Sequence, residues 1–459
     1  MKKTLGLSLA AVFVLAACSD NDEMPMNDEN GMMDENNMPA DEEDMPMDDE
    51  DMQDNENMPM NEENMHDNED MPMDENNMHD DEDMPMDEEA RADYEEEAAS
   101  LPDSFQEGAS ENRMSLNTKN VTRLTSADPE SASIEAAQTI WPATHEANRP
   151  GAVLLADPEE WQEALSILTL VHHPNDGPLL LMEDGLSEEL LTEIERLNPL
   201  GTEDGTEILT AGTLSSEEEE MLSDYSIQSI EAETDAGFAR EADAMFAEAM
   251  GETPEAVLIG SSADENRLFS QVAGSWIAHM NEPLLYVDDE VPQETIDALE
   301  TREEAVMYLL GGEDVISSDV EEELSEYGTV ERIEGSTPQE LSIAFAQYEH
   351  DGFGWNINSP GHGFVFTSSD TPDLALAGAP FAHLGKHAPL LWLEGGELTQ
   401  EHADYLATVK PGYMESPMEG PYNHSYMLGG ESDISFSTQG VIDAMMEIEA
   451  VDGGGHGGH

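Results

Sequence analysis

The chain has 459 residues and sets 106 acidic against 14 basic ones, for a formal net charge of −92. Such a surface repels nucleic acid, anionic lipid headgroups and anionic polymers unless cations bridge the contact, which excludes a nucleic-acid-binding role. The same balance suits an exported protein living in high salt or at alkaline pH, and the length leaves room for roughly two to four domains.

The N-terminus reads "MKKTLGLSLAAVFVLAACSD". Lys2 and Lys3 form a positive start, and the apolar run from Leu5 to Ala17 is too short for a comfortable membrane span, so residues 1–17 read as an export signal. "LAAC" (Leu15 to Cys18) matches the bacterial lipobox, in which the cysteine is diacylated and becomes the new N-terminus. Two acyl chains on Cys18 suffice for stable anchoring to the outer face of the cytoplasmic membrane. With no other cysteine, the mature chain forms no internal disulfide.

Residues 18–97 are built from Asp, Glu, Asn and Met, with Arg91 the single basic residue. "MPM" triplets recur every thirteen residues, at Met45 with Met47, Met58 with Met60, Met71 with Met73 and Met84 with Met86. Further methionines stand midway at Met52, Met65 and Met78, the last two followed by His66 and His79. No periodicity buries a face, so the stretch is expected to be a disordered acidic tether stretched by its own charge. The methionines keep a second reading open. Thioethers ligate Cu(I), imidazole suits copper or zinc, and carboxylates suit calcium. On that reading, Met45, Met47, Met58, Met60, Met65, His66, Met71, Met73, Met78, His79, Met84 and Met86 trap copper or another soft metal. The repeat resembles the methionine-rich segments of bacterial copper-handling proteins.

Beyond residue 98 the texture changes. "GAVLLAD" (151–157) predicts a buried strand, 158–172 a helix with Trp161, Leu165, Leu168 and Val171 on one face, and "GPLLLM" (177–182) a second strand. "SEELLTEIERL" is a second helix and "TEILTAG" (206–212) a third strand. Strand and helix alternate in this way to about residue 450, which implies crossover connections and mostly parallel sheets. The pattern also repeats. "GPLLLM" returns as "EPLLYV" at 282 and "APLLWL" at 388, and "TAGTLSSEEEEML" at 210 returns as "LGGEDVISSDVEEEL" at 310 and "LGGESDISFSTQGVI" at 428. Three modules are expected, over 98–227, 228–330 and 331–448, followed by a flexible Gly/His tail at 449–459.

These phrases resemble the cell-wall-binding repeat 2 family. "YLLGGEDVISSDVEEELSEYGTVERIEG" (308–335) is similar to that family's strand, Gly-Gly turn, helix and Arg-Ile-x-Gly opening, and "DLALAGAPFAHLGKHAPLLWL" (373–393) to its Ala/Leu-rich helix and Pro-Ile-Leu-Leu strand. The resemblance implies an α/β fold of three tandem Rossmann- or Toprim-like modules in a pseudo-threefold arrangement. No partner subunit is then required, because the three repeats form an intramolecular pseudo-trimer. It further implies non-covalent binding of an anionic cell-wall polymer. The family's repeats usually open on a Gly-Ala-Asp-Arg phrase. Its counterparts here, "TSADPES" (125–131), "EAETDAG" (231–237) and "EGSTPQE" (334–340), all lack the arginine. Binding through divalent cations such as calcium, rather than through basic side chains, is therefore expected.

Other candidate chemistry is sparse. Gly311-Gly312 and Gly429-Gly430 follow strands, but no G-x-G-x-x-G or Walker pattern surrounds them and a tight turn explains them. His383 and His387 are four apart beside Lys386, a spacing that can place two imidazoles on one helix face for zinc, yet no acidic third ligand completes a pattern. His172-His173 reads as a helix end, and His456 and His459 sit in the glycine-rich tail. No serine stands in a G-x-S-x-G elbow, so a non-enzymatic surface protein is expected.

Overall fold

The computed structural model describes residues 88–451, apart from residues 107, 112, 173, 303, 385 and 386. The export signal, Cys18 and the methionine and histidine positions from Met45 to Met86 lie outside the described residues, as does the tail from 452 onward.

The first described element is a helix, α1 (Glu88–Ala98), where the tether was expected to run on to residue 97. Its composition is mostly charged, and two side chains hold it down. Tyr94 is buried and its hydroxyl donates to the Pro411 carbonyl at 2.7 Å, while Arg91 pairs with Glu95 and donates to the Thr408 carbonyl. The tether expectation is therefore corrected at its C-terminal end: tertiary contacts order a segment whose composition argues for none.

A strand follows, β1 (Val121–Leu124). The first unit then runs α2 (Pro129–Ile140), β2 (Val153–Ala156), α3 (Trp161–Ser166, continued by the 3-10 turn Ile167–Leu170), β3 (Leu179–Leu181), α4 (Glu188–Leu197), β4 (Ile208–Ala211), α5 (Ser216–Met221) and β5 (Ile227–Ile230). The second repeats the order: α6 (Asp235–Met250), β6 (Ala256–Ser261), α7 (Arg267–Ser270) with α8 (Ala273–Ile277), β7 (Leu284–Val287), α9 (Gln293–Leu299), β8 (Ala305–Leu310), α10 (Ser318–Leu324) and β9 (Gly328–Ile333). The third has α11 (Pro338–Gln347), β10 (Gly363–Ser368), α12 (Asp373–Gly378, continued by Ala379–Ala382), β11 (Leu390–Leu393), α13 (Gln400–Thr408), β12 (Gly412–Tyr413), β13 (His424–Leu428), α14 (Phe436–Met445) and β14 (Glu449–Ala450).

The three four-stranded sheets are ordered β3-β2-β4-β5, β7-β6-β8-β9 and β11-β10-β13-β1, and every pairing is parallel. The α/β fold of repeated parallel modules expected from the sequence is what the chain adopts. The module boundaries need correction. The strand that opens each family phrase closes the sheet before it, so the expected breaks at 228 and 331 fall inside β5 and β9. By the same rule β1 closes the third sheet, with Val121 opposite Ser425 and Leu124 opposite Leu428. The first and last strands of the repeat array are thus neighbours, and the third unit is assembled from both ends of the chain.

Strand periodicity sets where the core sits. In β2, Leu154 and Ala156 face one hydrophobic cluster shared among all three units, while Val153 and Leu155 face a second confined to the first unit. Period-two alternation with both faces covered makes each central strand wholly apolar. The three Pro-Leu-Leu strands are buried throughout, as core rather than contact surface.

The glycine and the Ile/Leu-Ser pair that follows it in each unit form a turn followed by a cap. Gly212, Gly311 and Gly429 hold φ of +74°, +97° and +114°, a region open to glycine alone at no steric cost. Leu214, Ile316 and Ile434 bury the loop, and Ser215, Ser317 and Ser435 each accept a hydrogen bond from a backbone N–H three residues on, capping α5, α10 and α14. In the second and third units an arginine from the fourth strand pins this turn. Arg332 donates to the carbonyls of Gly311 and Ile316; Arg123, buried, donates to those of Gly429, Gly430 and Ile434 and to Gln439 Oε1. The first unit has Ser229 there, and Thr210 bonds both that hydroxyl and the Gly212 carbonyl instead.

Candidate functional site at the junction of the three units

The helix after the first strand of each unit points its C-terminal end at the same place. Gly274 in α8 marks how closely these helices pack: a Cβ there would lie 3.3 Å from Leu165 and 3.4 Å from Leu168 of the first unit, and 3.7 Å from Ala379 of the third. A histidine stands just past each helix, at His172, His279 and His383. "AGSWIAH" (273–279) and "AGAPFAH" (377–383) show the correspondence directly. The His172 ring centroid lies 5.4 Å from that of His383 and 6.4 Å from that of His279.

His383 and His387 do not share the helix face that their four-residue spacing allows, because the helical turn ends at Ala382 and His387 adopts a left-handed backbone with φ +50°. Each turns to a different partner. His383 Nε2 lies 2.5 Å from Asp176 Oδ1, and His387 Nδ1 lies 3.3 Å from His362 Nδ1. His279 stacks on Trp355 at 5.8 Å and meets the edge of His387 at 5.1 Å. Five imidazoles therefore form a continuous seam, His362–His387–His279–His172–His383, joining all three units. Burial pushes the His279 pKa down to about 3, with His387, His172 and His383 adding to it, and burial likewise lowers those of His362 and His387. His279, His362 and His387 are thereby held in the neutral form at pH 7. Among the described residues, no three histidine, aspartate or glutamate side chains are yet gathered around a point where a metal ion would sit.

A second feature lies at the carboxyl ends of β2 and β4. Their crossovers leave in opposite directions, the position where doubly wound sheets take ligands. In the first unit the crevice is acidic. Glu163 is half-buried, its Oε2 3.5 Å from where a Cβ on Gly212 would stand, and its pKa is pushed up to about 7 by burial and then by Glu160, Asp235 and Asp157.

The cations are spent internally. Ion pairs join Arg113 to Glu431, Lys119 to Glu447, Arg196 to Glu193, Arg240 to Glu241, Arg267 to Asp373, Arg302 to Asp243, Arg332 to Glu321 and Lys410 to Glu449. Arg91 is paired within α1, Arg123 is buried on carbonyls, and Arg149 donates to the Asn198 carbonyl. Among the described residues, every lysine and arginine is thus engaged within the chain. Sequence reading singled out the arginines missing from the repeat openings, but the histidine seam escaped it. The signal was there: at least one histidine per repeat, four to six residues before each Pro-Leu-Leu proline.

These features define a class: a pseudo-threefold module of three parallel α/β units, closed by its own N-terminal strand and tied at its centre by aromatic and imidazole side chains. Two solved structures share the fold. Cwp6 from Clostridium difficile is 16% identical, with a TM-score of 0.58, over 76% of this chain and 51% of that one. Cwp8 from Clostridium difficile is 17% identical, with a TM-score of 0.54, over 71% of this chain and 52% of that one. The chain spans about half the length of each. No protein-family model matches it, and no curated protein matches it significantly.

Proposed function

We propose that this is a surface protein whose three-unit module associates non-covalently with an anionic cell-wall polymer, divalent cations such as calcium bridging the two. The fold shared with two cell-wall proteins supports the wall partner. The bridging rests on one observation: no described lysine or arginine is left over to meet an anion, while carboxylates crowd the surface and the first unit's crevice. A polyanion approaching such a face gains nothing until a hard cation, which prefers carboxylate oxygens, lies between them. Cys18 acts as the lipid attachment point in this reading, with the acidic segment after it spacing the module from the bilayer; the "LAAC" motif supports that part. Cosedimentation of the unlipidated chain with host cell walls tests the proposal. Saturable pelleting that needs calcium and is reversed by a chelator is the expected result. Pelleting indifferent to the chelator removes the bridging, and none under any condition removes the wall partner.

A further inference from the structure

The seam holds an arrangement that wall binding does not use. His362 and His387 belong to the third unit and His279 to the second, and all three rings are half-buried. The two nitrogens His362 Nδ1 and His387 Nδ1 stand 3.3 Å apart. Two imidazole nitrogens bound to one tetrahedral zinc at roughly 2.0–2.1 Å each lie about 3.3 Å from one another. The pair is therefore spaced as two corners of a metal tetrahedron, a distance that one shared proton holds when no ion is there. The His279 ring stands edge-on to His387 with centroids 5.1 Å apart. Its Nδ1 is buried and has no hydrogen-bond partner, an unfavourable state for a polar atom.

We propose that His279, His362 and His387 form a binding site for a borderline divalent transition ion, with water completing the shell. An all-imidazole set suits zinc, nickel or copper(II) and does not suit calcium or magnesium. The His362–His387 pair is already in place, and His279 swings toward it on binding, which supplies the partner its Nδ1 lacks. Because the ligands come from two units, the bound ion clasps the second unit to the third. The site is independent of the methionine string and of the proposed calcium bridges, which use sulfur and oxygen.

The test is thermal unfolding of the full unlipidated chain with and without zinc. An ion that binds only the folded state raises the midpoint, whereas zinc caught by the acidic segment or by the tail does not tie the folded units together. The expected result is a rise in the wild-type chain that is abolished in His362→Gln and in His387→Gln. The rise is retained when His66, His79, His456 and His459 are all changed to alanine. Should one glutamine variant fail to fold, the other decides. Nitrogen-15 histidine spectra of the wild-type chain give a second reading, with zinc-induced shifts expected at the Nδ1 atoms of these three rings. A zinc effect that survives in both glutamine variants overturns the site, as does the absence of any effect from zinc, nickel and copper(II) on the wild-type chain.

Discussion

Glu163 shows what it costs a single carboxylate to be half-buried among others. Its pKa in the folded chain, about 7, is above the ordinary glutamate value of 4.5, so the folded state binds more protons than the unfolded one between those two pH values. Stability from this group is therefore fully present below about pH 4.5 and is lost as pH rises through about 7. Glu163→Gln, neutral throughout, is expected to raise the thermal midpoint at pH 8 and to raise it much less at pH 5. An equal gain at both pH values would show that ionisation of this buried, carboxylate-flanked group is not the cause. The histidines act with the opposite sign. Burial lowers the pKa of His279, His362 and His387, so the unfolded chain takes up their protons first, and stability falls as pH drops below the ordinary histidine value of 6.5. Residue chemistry of this kind was only partly legible beforehand. The number of carboxylates is plain in the sequence, but which of them are packed together is not.

Among the elements, β1 is the most consequential. It is short and separated from its partner β13 by most of the chain, yet it occupies the position that β5 and β9 fill in the other two sheets. Arg123 then carries β1's hold into the turn after β13. A chain beginning at residue 99 should keep all three sheets, whereas one beginning at residue 128 leaves β13 as an exposed edge of the third sheet. Amide exchange of β13 is expected to quicken in the shorter chain, with the second-unit strands β6 and β8 little changed. Unaltered protection of β13 would mean that β1 contributes no stability. The tight turns, the caps Ser215, Ser317 and Ser435 and the Pro-Leu-Leu strands could all be read in advance, because local backbone geometry dictates glycine, serine and unbroken apolar runs. That the fourth strand ends one sheet instead of opening the next could not be read, since parallel pairing is non-local.

At the scale of the molecule, three units of like topology bury one continuous core, and the chain's own N-terminal strand completes the third, so the assembly closes without a second copy. The proposed function adds a second attachment to this module. In the proposed function, wall contact bridged by divalent cations is reversible by chelation, whereas a lipid on Cys18 is not. Cys18→Ser is expected to release the protein from the membrane fraction into the medium; retention on membranes at the wild-type level would remove the lipid anchor from the proposed function.

The sequence by itself determined the repeated α/β architecture, the burial of the central strands and the acidic surface, because these follow from periodicity, turn chemistry and composition, which are local properties. Only the tertiary structure decided that residues 121–124 belong with 424–428, that α1 is held by Tyr94 and Arg91, that the basic side chains are already engaged, and that five histidines line one seam. Each of these brings together residues remote in the chain, and the energy that favours them comes from packing and paired charge, which no local pattern of residues encodes.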